Sequence, residues 1–171
     1  SVVKELLENA IDAGATSILI DVTSDLAGVT KIRVTDNGEG MTPEEAVLAF
    51  HPHATSKIRD IADLLAIRTL GFRGEALASI AAVAEVTLVT RPRGAAALAG
   101  ARVVVRGGEV VEKREVGAPE GTTVVVERLF YNTPARRKFL KSRNTELAHI
   151  YAVVENLALA HGEVAFRVVH N

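Results

Sequence analysis

The chain contains no cysteine, which removes disulfides, thiolate metal sites and cysteine nucleophiles together and suits an intracellular setting. It has no apolar run of membrane-spanning length, and no signal peptide is visible in it. An excess of one charge sign is also missing: 20 basic and 21 acidic residues leave a formal net charge of -1, so no global attraction to nucleic acid is expected. The five histidines, at 51, 53, 149, 161 and 170, show no H-x-x-x-H spacing, and a structural zinc is not expected. A Gly-x-x-x-x-Gly-Lys-Ser/Thr loop is absent, Ser56 and Ser79 lack a nucleophile-elbow context, and no internal repeat or low-complexity linker is visible. Any metal should therefore be oxygen-liganded, with magnesium beside a nucleotide the natural candidate. What remains is a chain of 171 residues, 48% hydrophobic, able to bury a substantial core as one domain. Because it begins at Ser1 inside a helix pattern and stops just after a strand-like segment, it reads as a piece of a longer protein.

The first fourteen residues carry the most information. At about 100° per residue, Val3, Leu6, Leu7, Ala10 and Gly14 fall on one helical face, with Glu5, Asn9 and Asp12 opposite. A carboxylate and an amide one turn apart can act on the same small object. A solvated face is the bland alternative, although Asn and Asp are poor mid-helix choices for one.

Downstream, helix and strand patterns alternate. Gly14 supplies a stop, residues 16–22 and 31–35 read as an antiparallel pair joined by a turn at 25–28, and Thr42-Pro43-Glu44-Glu45 forms a capping box opening a helix toward Phe50. Residues 51–74 show no dominant period and read as a loop. A helix opens at Gly74-Glu75-Ala76, and strands follow at 85–91, 101–106, 109–115 and 122–128, the middle pair joined by Gly107-Gly108. Thr133-Pro134 caps a short helix, and Asn144 caps a longer one with an apolar stripe of Leu147, Ile150, Tyr151, Val154, Leu157 and Ala158, ended by Gly162. Val164, Phe166 and Val168 close the chain as a strand. The expected fold class is α+β: a two-layer sandwich of a mixed, mostly antiparallel sheet with helices on one face.

Three loops concentrate chemistry. Asp36-Asn37-Gly38-Glu39-Gly40-Met41 fixes an acceptor-only carboxylate at a strand end, suited to gripping an amino group, although an ordinary Asn-Gly turn has the same composition. Gly71-Phe72-Arg73-Gly74 precedes a helix N-terminus, where unpaired N–H groups could cradle a polyphosphate or where the glycines simply pack. His53-Ala54-Thr55-Ser56-Lys57 could add a hydroxyl and an ammonium. Finally, the stretch 128–143 holds Arg128, Arg136, Arg137, Lys138, Lys141 and Arg143 with no acidic residue, either a solvated face or a surface facing phosphate or DNA.

The segments 5–16, 36–41, 53–58, 71–80 and 129–140, in this order, make the chain resemble the MutL family of DNA mismatch repair ATPases over nearly its whole length. The first two are shared with gyrase, Hsp90 and histidine kinases, the GHKL superfamily with its Bergerat fold. His53-Ala54-Thr55-Ser56-Lys57, Gly71-Phe72-Arg73-Gly74-Glu75-Ala76 and Asn132-Thr133-Pro134-Ala135-Arg136-Arg137 select MutL. The resemblance implies an ATPase domain over 1–171, lacking its N-terminal segment and the following domains, with ATP and Mg2+ as cofactors. It implies Glu5 as the general base, Asn9 as the magnesium ligand, Asp36 as acceptor of the adenine amine, Gly40 lining the base pocket and Thr122 assisting through water. It further implies a phosphate lid of Gly71, Phe72, Arg73, Gly74, Glu75, Ala76 and Leu77, joined by Thr55 and Lys57. Pro52 departs from a family position that is often basic and stiffens the lid's entry. Implied partners are DNA, a second subunit in a homodimer or paralogous heterodimer, and a MutS-type mismatch sensor, with no membrane. The implied location is cytoplasmic and nucleoid-associated in a bacterium, nuclear in a eukaryote. The alternative is a nucleotide-responsive scaffold, or another GHKL member, with little hydrolysis of its own; a piece of this length is expected to bind ATP weakly and turn it over poorly.

Overall fold

The computed structural model describes residues 1–51, 75–96 and 99–171. Helix α1 (Val2–Asp12) starts at the Ser1 cap and leads into the hairpin β1 (Ser17–Asp25) and β2 (Gly28–Asp36). Helix α2 (Pro43–Leu48) and helix α3 (Ala76–Ala82) precede strands β3 (Glu85–Arg91), β4 (Ala99–Arg106), β5 (Glu109–Gly117) and β6 (Gly121–Glu127). The short α4 (Pro134–Arg137), the long α5 (Arg143–Ala160) and β7 (Ala165–His170) complete the order. The loop expected at 51–74 lies almost wholly outside the described residues. Among the described residues, no helix is long and apolar enough to cross a membrane.

Seven strands form one sheet in the order β5-β4-β3-β6-β2-β1-β7. Every pairing is antiparallel except β1 with β7, which the long α5 connection allows to run parallel. The expected α+β sandwich is what forms. Alternate residues point into the core, and the register stacks them in rows across the sheet. Ile20, Val34, Val124, Leu88 and Val103 make one row; Val22, Ile32, Val126, Val86 and Val105 make the next. A third row, nearer the other strand ends, reads Ile18, Asp36, Thr122, Thr90 and Ala101. Two apolar rows thus give way to one whose centre is polar.

The helices cover this inward face. Helix α1 buries Val3, Leu6, Leu7 and Ala10, as its periodicity requires, while Gly14 lies past the helix end and is exposed. Its backbone adopts φ +74°, and the N–H groups of Gly14 and Ala15 bond the carbonyls of Ile11 (2.9 Å) and Ala10 (3.2 Å), the paired closure that a left-handed residue permits. The Thr42 capping box forms with both of its bonds. The opposite face of the sheet is polar, with pairs such as Arg33–Asp21 (2.9 Å) and Arg106–Glu85 (2.8 Å).

Two expected caps differ. Thr133 makes no side-chain cap bond. Helix α5 is capped by Ser142, whose Oγ accepts from the Thr145 N–H, so Asn144 lies inside the helix. The earlier start puts Glu146 in the first turn, where its carboxylate accepts the Val29 N–H at 3.1 Å and ties α5 to the hairpin. Of its apolar stripe only Ile150 and Val154 are fully buried, and Tyr151 is exposed. Replacing Ser142 by Ala should therefore lower stability by about 1 kcal/mol, whereas Asn144→Ala should be neutral or slightly stabilising, as measured by denaturant unfolding.

Candidate functional site

The polar row opens into a cleft. Asp36 ends β2, and Thr122 faces it from β6 in register. Val34, Leu88 and Val124 from the neighbouring apolar row form the floor, with Met41, Ala49 and Leu77 to the side. Helix α1 supplies the remaining wall through Leu6, Asn9, Ala10 and Ala13. The cleft is partly open to solvent. Asp36, Asn9 and Thr122 are the polar side chains in an otherwise apolar lining.

The turn after Asp36 is built for close approach. Asn37 Oδ1 accepts the N–H groups of Thr16 (2.9 Å) and Ser17 (3.0 Å), fastening the turn to the start of β1. Glu39 N–H bonds Ala13 O at the end of α1 (2.9 Å), and Arg93 N–H bonds Glu39 O (2.7 Å). At Gly40, φ +68°, an added Cβ would lie 1.9 Å from Arg91 O; at Gly121, φ +106°, it would lie 2.1 Å from Asp36 O. Only glycine fits either place.

Burial pushes the Asp36 carboxyl up to about 6; the N–H groups of Gly38 (2.8 Å) and Thr122, and then the Arg93 guanidinium, partly oppose that shift. Next to Thr122 in the row sits Thr90, fully buried, its Oγ1 within 2.9 Å of Met41 N, 3.0 Å of Gly121 O and 2.9 Å of Thr122 Oγ1.

The sequence-based candidates divide accordingly. Asn9, Asp36, Gly40, Leu77 and Thr122 come together in the cleft. Glu5 is half-buried on α1, one turn before Asn9 on the same face. Ala76 opens α3 and Glu75 is its exposed N-cap residue, without a side-chain cap bond; neither lines the cleft. Asp12, grouped with Glu5 and Asn9 by periodicity, is exposed near the far end of α1, where burial raises its pKa and His161 lowers it. Thr55, Lys57, Gly71, Phe72, Arg73 and Gly74 lie outside the described residues.

Thr90 and Arg93 were not foreseen. In a strand read as Glu85–Arg91, a threonine among valines looks like ordinary strand filling, and its partners stand far away in sequence. Arg93 Nη2 donates to Asn37 O at 2.9 Å, again a contact between distant segments. The basic stretch is also less uniform than its sequence: Arg128 lies 3.7 Å from Glu85 and over the Tyr131 ring, while Arg136, Arg137, Lys138 and Lys141 are exposed.

Comparison with known proteins gives consistent findings. The family described as histidine kinase-, DNA gyrase B- and HSP90-like ATPase matches residues 1–110. The DNA mismatch repair protein MutL of Methanoculleus marisnigri is 90% identical over 171 residues, and that of Methanocorpusculum labreanum 56%; each match covers 100% of this chain and 29% of the relative. Among solved structures, the Aquifex aeolicus MutL ATPase domain complexed with ADP superimposes with a TM-score of 0.74 at 34% identity, covering 99% of this chain and 58% of that one. The chain thus spans less than a third of the length of these curated relatives.

The raised pKa of Asp36 makes the cleft a pH-dependent weakness of the free fold. A carboxyl whose folded pKa of about 6 exceeds its ordinary 3.8 favours folding most below 3.8, and that contribution is lost as pH rises through 6. Asp36→Asn should accordingly gain on the native protein by up to about 3 kcal/mol between pH 4 and pH 7.5. Thermal unfolding of both proteins across that range reads the difference; a gap in Tm that does not change with pH would contradict the assignment.

Proposed function

The chain belongs to the histidine kinase-, DNA gyrase B- and HSP90-like ATPase family, within its MutL branch, and on that premise we propose that its cleft holds ATP by the adenine amino group while Glu5 activates the attacking water. The observation that carries this reading is the half-buried, partly desolvated Asp36 carboxylate lining an otherwise apolar cleft. Flat apolar walls suit a purine ring, and an acceptor-only group at their end selects a ligand edge that donates. The Aquifex relative, complexed with ADP, supports a nucleotide in the corresponding fold.

Helix α1 joins the two ends of the site. Its Ala13 carbonyl holds the turn beside Asp36, and its Asn9 lines the same cleft. Glu5, one turn further from the base end, would take a proton from water near the terminal phosphate. Asn9 offers one neutral oxygen, and among the described residues no group of three His, Asp or Glu gathers that could hold a metal unaided. Such a sparse donor set fits magnesium, which keeps several waters and is completed by substrate phosphates. When bound, the ion would neutralise charge on those phosphates. The lid, with Thr55, Lys57 and residues 71–77, would wrap them and order on nucleotide binding.

For the whole protein, the relatives named as mismatch repair proteins support a role in that process. Nucleotide state would then govern pairing with a second subunit, contact with DNA and signalling from a MutS-type sensor. A scaffold that merely bound nucleotide would have no use for Glu5 one turn from Asn9. Measured separately in the full native polypeptide, Glu5→Ala should retain ATP binding and lose turnover by at least about a hundredfold. Asp36→Asn should weaken ATP affinity about 10- to 100-fold. Equal loss of binding and turnover in both variants, with the fold intact by circular dichroism, would defeat this division of roles.

A further inference from the structure

Thr90 does not line the cleft, yet its hydroxyl governs one that does. A threonine hydroxyl has one proton to give and two lone pairs to receive. Met41 N–H can only donate to it, and Gly121 O can only accept from it. The Thr90 proton is therefore directed to Gly121, and the 2.9 Å contact with Thr122 Oγ1 requires Thr122 to supply the hydrogen. Thr90 then has every bonding position filled, as full burial demands. Thr122, whose proton points inward, presents only lone pairs to the cleft it lines beside Asp36.

We propose that Thr90 is a specificity-determining residue: by fixing Thr122 as an acceptor it makes the cleft favour a purine with an amino group at its 6-position over one with an oxo group. The inference rests on the reading of Asp36 given above. An ionised Asp36 and a proton-depleted Thr122 are neighbouring acceptors, matched to the two N–H bonds of an amine. An oxo oxygen meets only lone pairs there. Thr90 acts through Thr122 and is a positioning residue.

Equilibrium affinities of the full native polypeptide for ATP and for inosine triphosphate provide the test, because the two differ in this edge of the base. The native protein should prefer ATP. Thr90→Val, which keeps the shape and removes the hydroxyl, frees Thr122 to rotate and donate, and the ATP-to-inosine preference should fall about 3- to 10-fold. Thr90→Ser should restore it. Loss of affinity for both nucleotides in equal proportion, with the ratio unchanged, would reduce Thr90 to a structural role and overturn the proposal. Should Thr90→Val not fold because Met41 N–H is left unpaired, Thr122→Val reads the same contact from the cleft side. It too should lower the ratio, and an unchanged ratio overturns the proposal. Asp36→Asn separates the two levels. A preference that survives Asp36→Asn refutes the reading of the site itself, whereas one that collapses there but persists in Thr90→Val and Thr122→Val refutes only the role of Thr90.

Discussion

A carboxylate taken out of water at the end of a central strand is the constraint around which the site is arranged. Desolvation raises the free energy of the ionised Asp36, and the protein offsets this only in part, with the Gly38 and Thr122 N–H groups and a more distant guanidinium. A fully satisfied carboxylate would be more stable and less useful. The remaining deficit would favour a ligand that brings hydrogen-bond donors to this carboxylate. The surrounding backbone keeps the geometry from relaxing. Gly40 and Gly121 let two segments approach more closely than any side chain would allow, and Asn37 pins the turn to β1.

The same sheet that makes the core makes the pocket. Stepping one row along the strands changes the inward surface from Val34, Val124 and Leu88 to Asp36, Thr122 and Thr90. No separate element is needed to carry the polar groups, since strand register alone places three of them side by side on otherwise apolar strands. Precision follows from this origin. A slip of one residue in β2 or β6 would send Asp36 or Thr122 to the far face, and the long apolar rows on either strand make such a slip very costly.

Local signals were legible in the sequence, and nonlocal ones were not. The α1 periodicity, the left-handed stop at Gly14, the Thr42 capping box and the Gly107-Gly108 hairpin each depend on residues within one or two turns of chain, and each forms. The α5 start was misplaced at Asn144 because a second cap-type residue, Ser142, stands two positions before it and takes the cap, and the contact of Glu146 with Val29 accompanies that earlier start. Of the site, the family pattern reached Asn9, Asp36, Gly40, Leu77 and Thr122. It could not reach Thr90 or Arg93, whose partners lie in segments brought near only by folding. The apolar walls were hidden for another reason: Leu88 and Val124 have the composition and spacing of core, and they are core as well as cleft floor.

On the proposed roles of Asp36 and Glu5, helix α1 would impose a length on what the site accepts. At about 1.5 Å of rise per residue, the eight positions from Ala13 back to Glu5 separate the base-reading end from the acidic end by about 12 Å. Ala13 is fixed there by Glu39 N–H, and Leu6, Leu7 and Ala10 on the buried face hold the helix against the sheet, so neither end can shift to suit a shorter ligand. A free base could satisfy Asp36 but would leave Glu5 with nothing to act on, and an isolated phosphate would meet no reader of its base. On that reading, an elongated molecule, donating at one end and carrying its reactive group well away from it, would engage both. One amphipathic helix would thus join the two proposed chemistries into a single requirement on the substrate.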